Sequence, residues 1–176
     1  MSKKWYGSVH NRIEENKNYN KDNQIHVGDD VTKYYWSDRK CYYVTKVINQ
    51  EHIFVSEYYV CANHDMPGGM GHQNWVYFKT SKEFNEYLVA HNLSPIRERE
   101  KEVEWEIMLR NGVWKEVNRF NWDWISKRDK WEQGLALSNL TPKQQEKVKS
   151  GKEVVKYSDF GNISFGVKDY YYDWEF

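Results

Sequence analysis

The stretch from Gly28 to Val60 constrains the fold more than any other part of the chain. It carries three apolar runs in succession: Val31 to Trp36, Cys41 to Ile48 and His52 to Val60. Each is dense in Val, Ile, Tyr, Phe or Trp, side chains that fit a pleated surface. The connectors, Ser37-Asp38-Arg39-Lys40 and Asn49-Gln50-Glu51, are short and polar. Such connectors join antiparallel neighbours, because parallel strands need a crossover of a dozen or more residues. The second run alternates, with Cys41, Tyr43, Thr45 and Val47 on one face and Tyr42, Val44, Lys46 and Ile48 on the other. Both faces are largely apolar, so the sheet is expected to be covered on both sides or to curl into a small barrel.

The rest of the chain reads as additions to this meander. Ser8 is expected to cap a short helix, and Asn16 to Asn23 to form a polar loop. Gln73 to Lys79 resumes strand character after a long loop containing Pro67, Gly68, Gly69 and Gly71. Thr80-Ser81-Lys82-Glu83 is a capping box that opens a helix with Phe84, Tyr87, Leu88 and His91 along one side. Segment 80–95 is therefore expected to cover the sheet. Segment 102–120 reads as a hairpin turning at Arg110-Asn111-Gly112. A two-residue turn and a bulged turn both remain open, and they place Trp114 on opposite faces. Asn121 to Leu137 reads as one helix capped by Asn121, with Trp124, Trp131 and Leu135 on a stripe. Thr141 caps a second short helix, Pro142 takes its first position and Gly151 stops it.

These readings predict one domain spanning 1–176. It comprises a meander core at 28–79, a covering helix at 80–95 and a hairpin at 102–120. A helical insertion at 121–156 and a terminal strand at 162–176 complete it. The fold class is α+β and β-rich: a strongly bent antiparallel sheet, or a small Tudor-like barrel, decorated with short helices.

Acids and bases balance to a formal net charge of zero, which is unlike a dedicated nucleic-acid coat or membrane-surface protein. Two cysteines, Cys41 and Cys61, are too few for a disulfide scaffold. The first residues are basic but lead into no apolar stretch, so no signal peptide or membrane span is expected and the cytoplasm is the expected compartment. Aromatic residues make up 17% of the chain, a density that suits sheet faces and contact surfaces alike.

No catalytic signature is present. Cys61, His64, Asp65 and His72 gather around one loop, but their spacing fits no standard zinc site, so neither metal nor cofactor is expected. Cys61 beside His64 lacks an orienting third group for nucleophilic chemistry. Lys127, Arg128 and Lys130 alternate with Trp122, Trp124 and Trp131, a pattern compatible with nucleic-acid contact. The preferred reading is an amphipathic helix with its Trp stripe in the core and its basic face in water.

Four stretches carry a resemblance when taken together. They are Trp5-Tyr6-Gly7 with Asn11-Arg12-Ile13-Glu14-Glu15-Asn16; Tyr34 with Ser37-Asp38-Arg39 and Tyr43-Val44; Leu109-Arg110-Asn111-Gly112-Val113-Trp114; and Ile163-Ser164-Phe165-Gly166 with Tyr171-Tyr172-Asp173. The combination resembles small accessory proteins encoded by tailed phages and prophages of Gram-positive bacteria. The resemblance implies a phage accessory gene and supplies no active site; the function expected is binding without catalysis, in the host cytoplasm. The expected role is inhibition of a host defence system, for example a CRISPR effector nuclease, by protein–protein contact. The alternatives are a nucleic-acid-binding module and a phage virion or assembly protein. The expected contact residues are Tyr34, Trp36, Asp38 and Arg39 at the first hairpin, and Trp122, Trp124, Lys127, Arg128 and Trp131 in the insertion.

Overall fold

The computed structural model describes residues 24–35, 38–65 and 74–170. The helix expected after Ser8, the loop at 16–23, Trp36, the glycines at 68–71, His72 and residues 171–176 lie outside the described residues. The elements in chain order are β1 (Asp30–Tyr34), β2 (Arg39–Asn49), β3 (His52–Glu57), β4 (Tyr59–Ala62), β5 (Trp75–Phe78), α1 (Ser81–Ala90), β6 (Glu104–Arg110), β7 (Val113–Phe120), α2 (Trp122–Ser126), α3 (Lys130–Ser138), α4 (Pro142–Lys149), β8 (Val154–Asp159) and β9 (Asn162–Phe165). Seven strands form one antiparallel sheet in the order β8-β7-β6-β3-β2-β1-β9. The fold is thus α+β and β-rich, with one large antiparallel sheet and short helices.

Two of the three apolar runs form strands of this sheet, and the third divides between two sheets. At Tyr58 the chain leaves the large sheet, and β4 pairs with β5 in a separate two-stranded sheet. Tyr58 anchors the crossing: its N–H donates to the Cys41 carbonyl (2.9 Å) and its hydroxyl to Asp30 Oδ1 (2.7 Å).

β2 carries two register shifts against β3. Val44 faces Val55, Lys46 faces Phe54 and Val47 faces Ile53, so Thr45 is an extra residue. A bulge bends the strand and increases its twist. It also corrects the simple alternation: Val47 packs on the core cluster that contains Tyr42 and Val44, and does not share the face of Cys41 and Tyr43.

The sheet is strongly bent but does not close into a barrel, which corrects the Tudor-like alternative. β8 and β9 are its two edges and share no ladder. Yet only Phe160-Gly161 separates them in sequence. A link that short spans about 10 Å at most, so the two edges must approach each other. Phe160 fills the seam. Its N–H donates to the Trp114 carbonyl (3.1 Å), and its ring meets Tyr42 edge-on at 5.5 Å. Trp114 of β7 also meets Phe165 of β9 at 5.6 Å. Inside the curl lie Val31, Val44, Ile53, Val55, Ile107 and Phe165, all fully buried. Burial of such side chains is worth roughly 1.5–3 kcal/mol each.

The outer face over β1 and β2 is covered by the β4–β5 hairpin and the C-terminal segment. Tyr43 donates its hydroxyl proton to the Lys79 carbonyl (3.0 Å), and Thr32 Oγ1 donates to the Val167 carbonyl (2.6 Å). α1 packs against β4 and β5, so it covers the small hairpin and not the large sheet.

At the second hairpin, Asn111 (φ 52°) and Gly112 (φ 74°) both adopt left-handed backbone and Arg110 pairs with Val113. This is a two-residue type I′ turn, and it settles the register. Trp114 faces Leu109 and enters the core.

The insertion differs from its sequence reading in two ways. Asn121 to Leu137 is two helices, because Asp129 caps a new one by accepting from Glu132 N. Residues 154–156, inside the expected helical insertion but beyond its Gly151 stop, begin strand β8, which pairs with β7 over six positions. The helices, the Leu140 link and the first residue of β8 build a second core of Ile125, Ala136, Leu140, Val148 and Val154.

Candidate partner-binding surface

Two places were expected to carry contact residues, and they behave differently. At the first hairpin, Tyr34 is buried and its hydroxyl shares a hydrogen bond with Ser164 Oγ (2.9 Å). Arg39 forms an ion pair with Asp169 and is largely shielded. The Asp38 carbonyl accepts from Tyr35 N (2.8 Å) and closes the turn. Tyr34 and Arg39 thus tie the hairpin to β9 and the C-terminal segment.

In the insertion the aromatic groups are presented to solvent. Trp131 is 72% exposed, Leu135 47% and Trp124 42%. Trp131 and Leu135 lie one turn apart on α3 and share a face. Their exposure corrects the expectation that the Trp stripe lies in the core. Asp129 restarts the helix and turns Ala136 inward, while Trp122 packs against the second core. The stripe is displaced by a break that periodicity alone did not show.

Two of the three basic groups beside these rings, Lys127 and Arg128, are engaged within the chain. Lys127 pairs with Asp123 (3.0 Å) and Arg128 with Glu132 (3.1 Å), each at i,i+4 spacing. The Arg128 guanidinium also lies 4.1 Å from the Trp124 ring centroid. Such exposed pairs add little stability, but they offset the charge of Lys127 and Arg128 that phosphate contact would use, while Lys130 has no ion pair among the described residues. The result is an aromatic surface that is electrically near neutral, a composition typical of protein contact.

Elsewhere, polar groups gather in two further places. On the outer sheet face, Arg119 donates twice to Glu106 (both 2.7 Å) and once to Glu153 (2.9 Å), and His52 Nε2 lies 2.8 Å from Glu106. Arg119 in first place, with His52, holds the Glu106 carboxyl below the usual carboxylate range. Where β3 and β6 diverge, a cavity of about 340 Å³ is lined by Glu57, Tyr59, Arg99, Glu102 and Trp105 among others. Its carboxylates are already held: Glu102 by Tyr59 (2.6 Å) and Ser81 N (2.8 Å), and Glu57 by Lys40 (2.9 Å). Neither place brings a nucleophile and a base together.

Of the loop residues weighed for metal, Asp65 bonds His91 (3.0 Å), a residue the sequence reading did not link to that loop. No group of three or more metal-ligating side chains occurs among the described residues. Burial pushes the Cys41 thiol up to about 12, so that thiol is protonated at neutral pH. No described helix is long and apolar enough to cross a membrane.

The fold and this surface define a class: a β-rich α+β protein whose scaffold carries a helical outgrowth with solvent-facing tryptophans. No family model, no curated protein and no solved structure matches the chain.

Proposed function

We propose that the protein is a binding protein that engages a protein partner through the α2–α3 surface. The observation that carries this reading is the exposure of Trp131, Leu135 and Trp124 together on short helices that have their own packed core. Tryptophan and arginine dominate interface energetics, and an exposed cluster of them on an ordered scaffold binds with little entropic penalty. The resemblance to phage accessory proteins directs the search to host proteins, defence effectors such as CRISPR nucleases first. Contact alone would suffice for inhibition, and the reading assigns no catalytic step.

Nucleic acid is the second class of partner. It is disfavoured by the internal pairing of Lys127 and Arg128. The test is affinity capture from an infected host with the wild-type chain and with a Trp124→Ser/Trp131→Ser variant in parallel. A stoichiometric host protein recovered by the wild type and lost by the variant is the expected result. Recovery of capsid or tail proteins alone would replace the inhibitor role with a virion or assembly role. Nucleic acid recovered in a salt-sensitive manner would overturn the reading.

A further inference from the structure

The α1 helix ends in a reversal. Asn92 takes left-handed backbone (φ 58°), and Leu93 N donates to the Leu88 carbonyl (2.8 Å). The chain then runs back as an extended strap over residues 93–99. Asn85, only 7% exposed, holds the strap through both atoms of its amide: Nδ2 donates to the Ile96 carbonyl (2.9 Å), and Oδ1 accepts from Ile96 N (2.8 Å). A second tie lies three residues on, where Arg99 N donates to Ser81 Oγ (2.9 Å). The strap is therefore fixed against the helix, and the groove between them exists before anything binds.

That groove is shallow and wide open to solvent, with a volume of about 670 Å³. Its floor is apolar, formed by Val89 (60% exposed), Ile96 (40% exposed), Ala90 and Pro95. Two carboxylates, Glu86 and Glu98, line it, and neither makes an ion pair with a described residue. Lys82 and Arg97 lie nearby in sequence but do not line the groove. Other carboxylates of the protein are paired, as at Asp123, Glu132 and Glu153, whereas these two keep their charge available. An apolar slot bordered by uncommitted negative charge complements an apolar side chain flanked by positive charge.

We infer that the α1–strap groove is a docking site for a short peptide segment of another protein, in which one apolar side chain is flanked by Lys or Arg. This goes beyond the α2–α3 reading: the groove belongs to the element that packs on the small hairpin, and its residues are separate from the tryptophan surface. The apolar side chain sits on Val89 and Ile96. The flanking basic groups meet Glu86 and Glu98.

The probe is a displayed library of random 12-residue peptides selected on the full chain. The expected result is enrichment of sequences pairing a large apolar residue with Lys or Arg. A synthetic enriched peptide should bind at least tenfold more weakly to Val89→Ser/Ile96→Ser. It should bind several-fold more weakly, and with less salt dependence, to Glu86→Gln/Glu98→Gln. All four side chains are solvent-facing, so both variants should keep the wild-type melting temperature. Binding to Trp124→Ser/Trp131→Ser should be unchanged. No enrichment, enrichment of acidic sequences, or equal binding to both groove variants would overturn the inference. Loss of binding in the tryptophan variant would place the peptide on the other surface and overturn it as well.

Discussion

His91 has both ring nitrogens turned toward acceptors: Nδ1 lies 2.8 Å from the Tyr87 carbonyl and Nε2 lies 3.0 Å from Asp65 Oδ1. Only the imidazolium satisfies both, because a neutral ring has one donor. The Asp65 bond first, then the Tyr87 carbonyl, raises the pKa of His91 above its ordinary value. The charge also sits at the C-terminal end of α1, where a cation is favoured, while the His64 ring 5.7 Å away would oppose it if protonated. Because the folded-state value is raised, this clamp is fully present below the unfolded value of about 6.5 and is lost as pH rises through the folded value. Ring-proton titration by NMR should show a His91 midpoint above 6.5 that falls in Asp65→Ala. A midpoint unmoved by that substitution would contradict the clamp. The clamp was not legible beforehand, because Asp65 and His91 are 26 positions apart and meet only when β4 and α1 pack. Tyr34 and Arg39 show the converse. Their types suggested contact, but Ser164 and Asp169, each 130 positions on, engage them inside the fold.

Among elements, those with local chemistry were readable. The Thr80 box, with Glu83 answering back, and the Thr141 cap, with Pro142 in the first turn, form as expected; Gln144 completes a box at Thr141 that was not anticipated. Each satisfies orphan N–H groups within four residues, so no distant partner decides it. The Asn111-Gly112 turn is local too, but its register depended on whether one or both residues took positive φ. Both do. Gly112→Val should therefore strain the turn by about 1–2 kcal/mol. Denaturant unfolding should show that loss with an unchanged slope, and a loss below about 0.5 kcal/mol would argue against left-handed backbone at Gly112. The Thr45 bulge, the Asp129 restart and strand β8 were not readable. β8 carries Lys156, Ser158 and Asp159 among Val154, Val155 and Tyr157. Its strand state comes from pairing with β7, a tertiary influence that weak intrinsic propensity cannot oppose.

Across the whole molecule, the sheet wraps until its first and last strands in the order approach, with Phe160 at the seam. Replacing Phe160 with Ala removes the ring that joins Tyr42 to the β8–β9 link. The expected cost is about 3–5 kcal/mol, seen as a large drop in the unfolding midpoint. A cost under about 1 kcal/mol would mean that the seam contributes little to the curl. The β-rich class and the strong bend were legible from a meander apolar on both faces. The open edge was not, since closure turns on whether β8 and β9 share a ladder. That scaffold leaves the tryptophan surface of the insertion facing solvent, and contact through this surface is the central claim. Its most direct test is the dissociation constant of the purified complex with the captured partner, measured for the wild type and for Trp131→Ser/Leu135→Ser. Both side chains are exposed, so the variant's stability should stay within about 0.5 kcal/mol of the wild type. The account predicts at least about 30-fold weaker binding, the equivalent of a hot spot of about 2 kcal/mol. Affinity within about twofold of the wild type would contradict it.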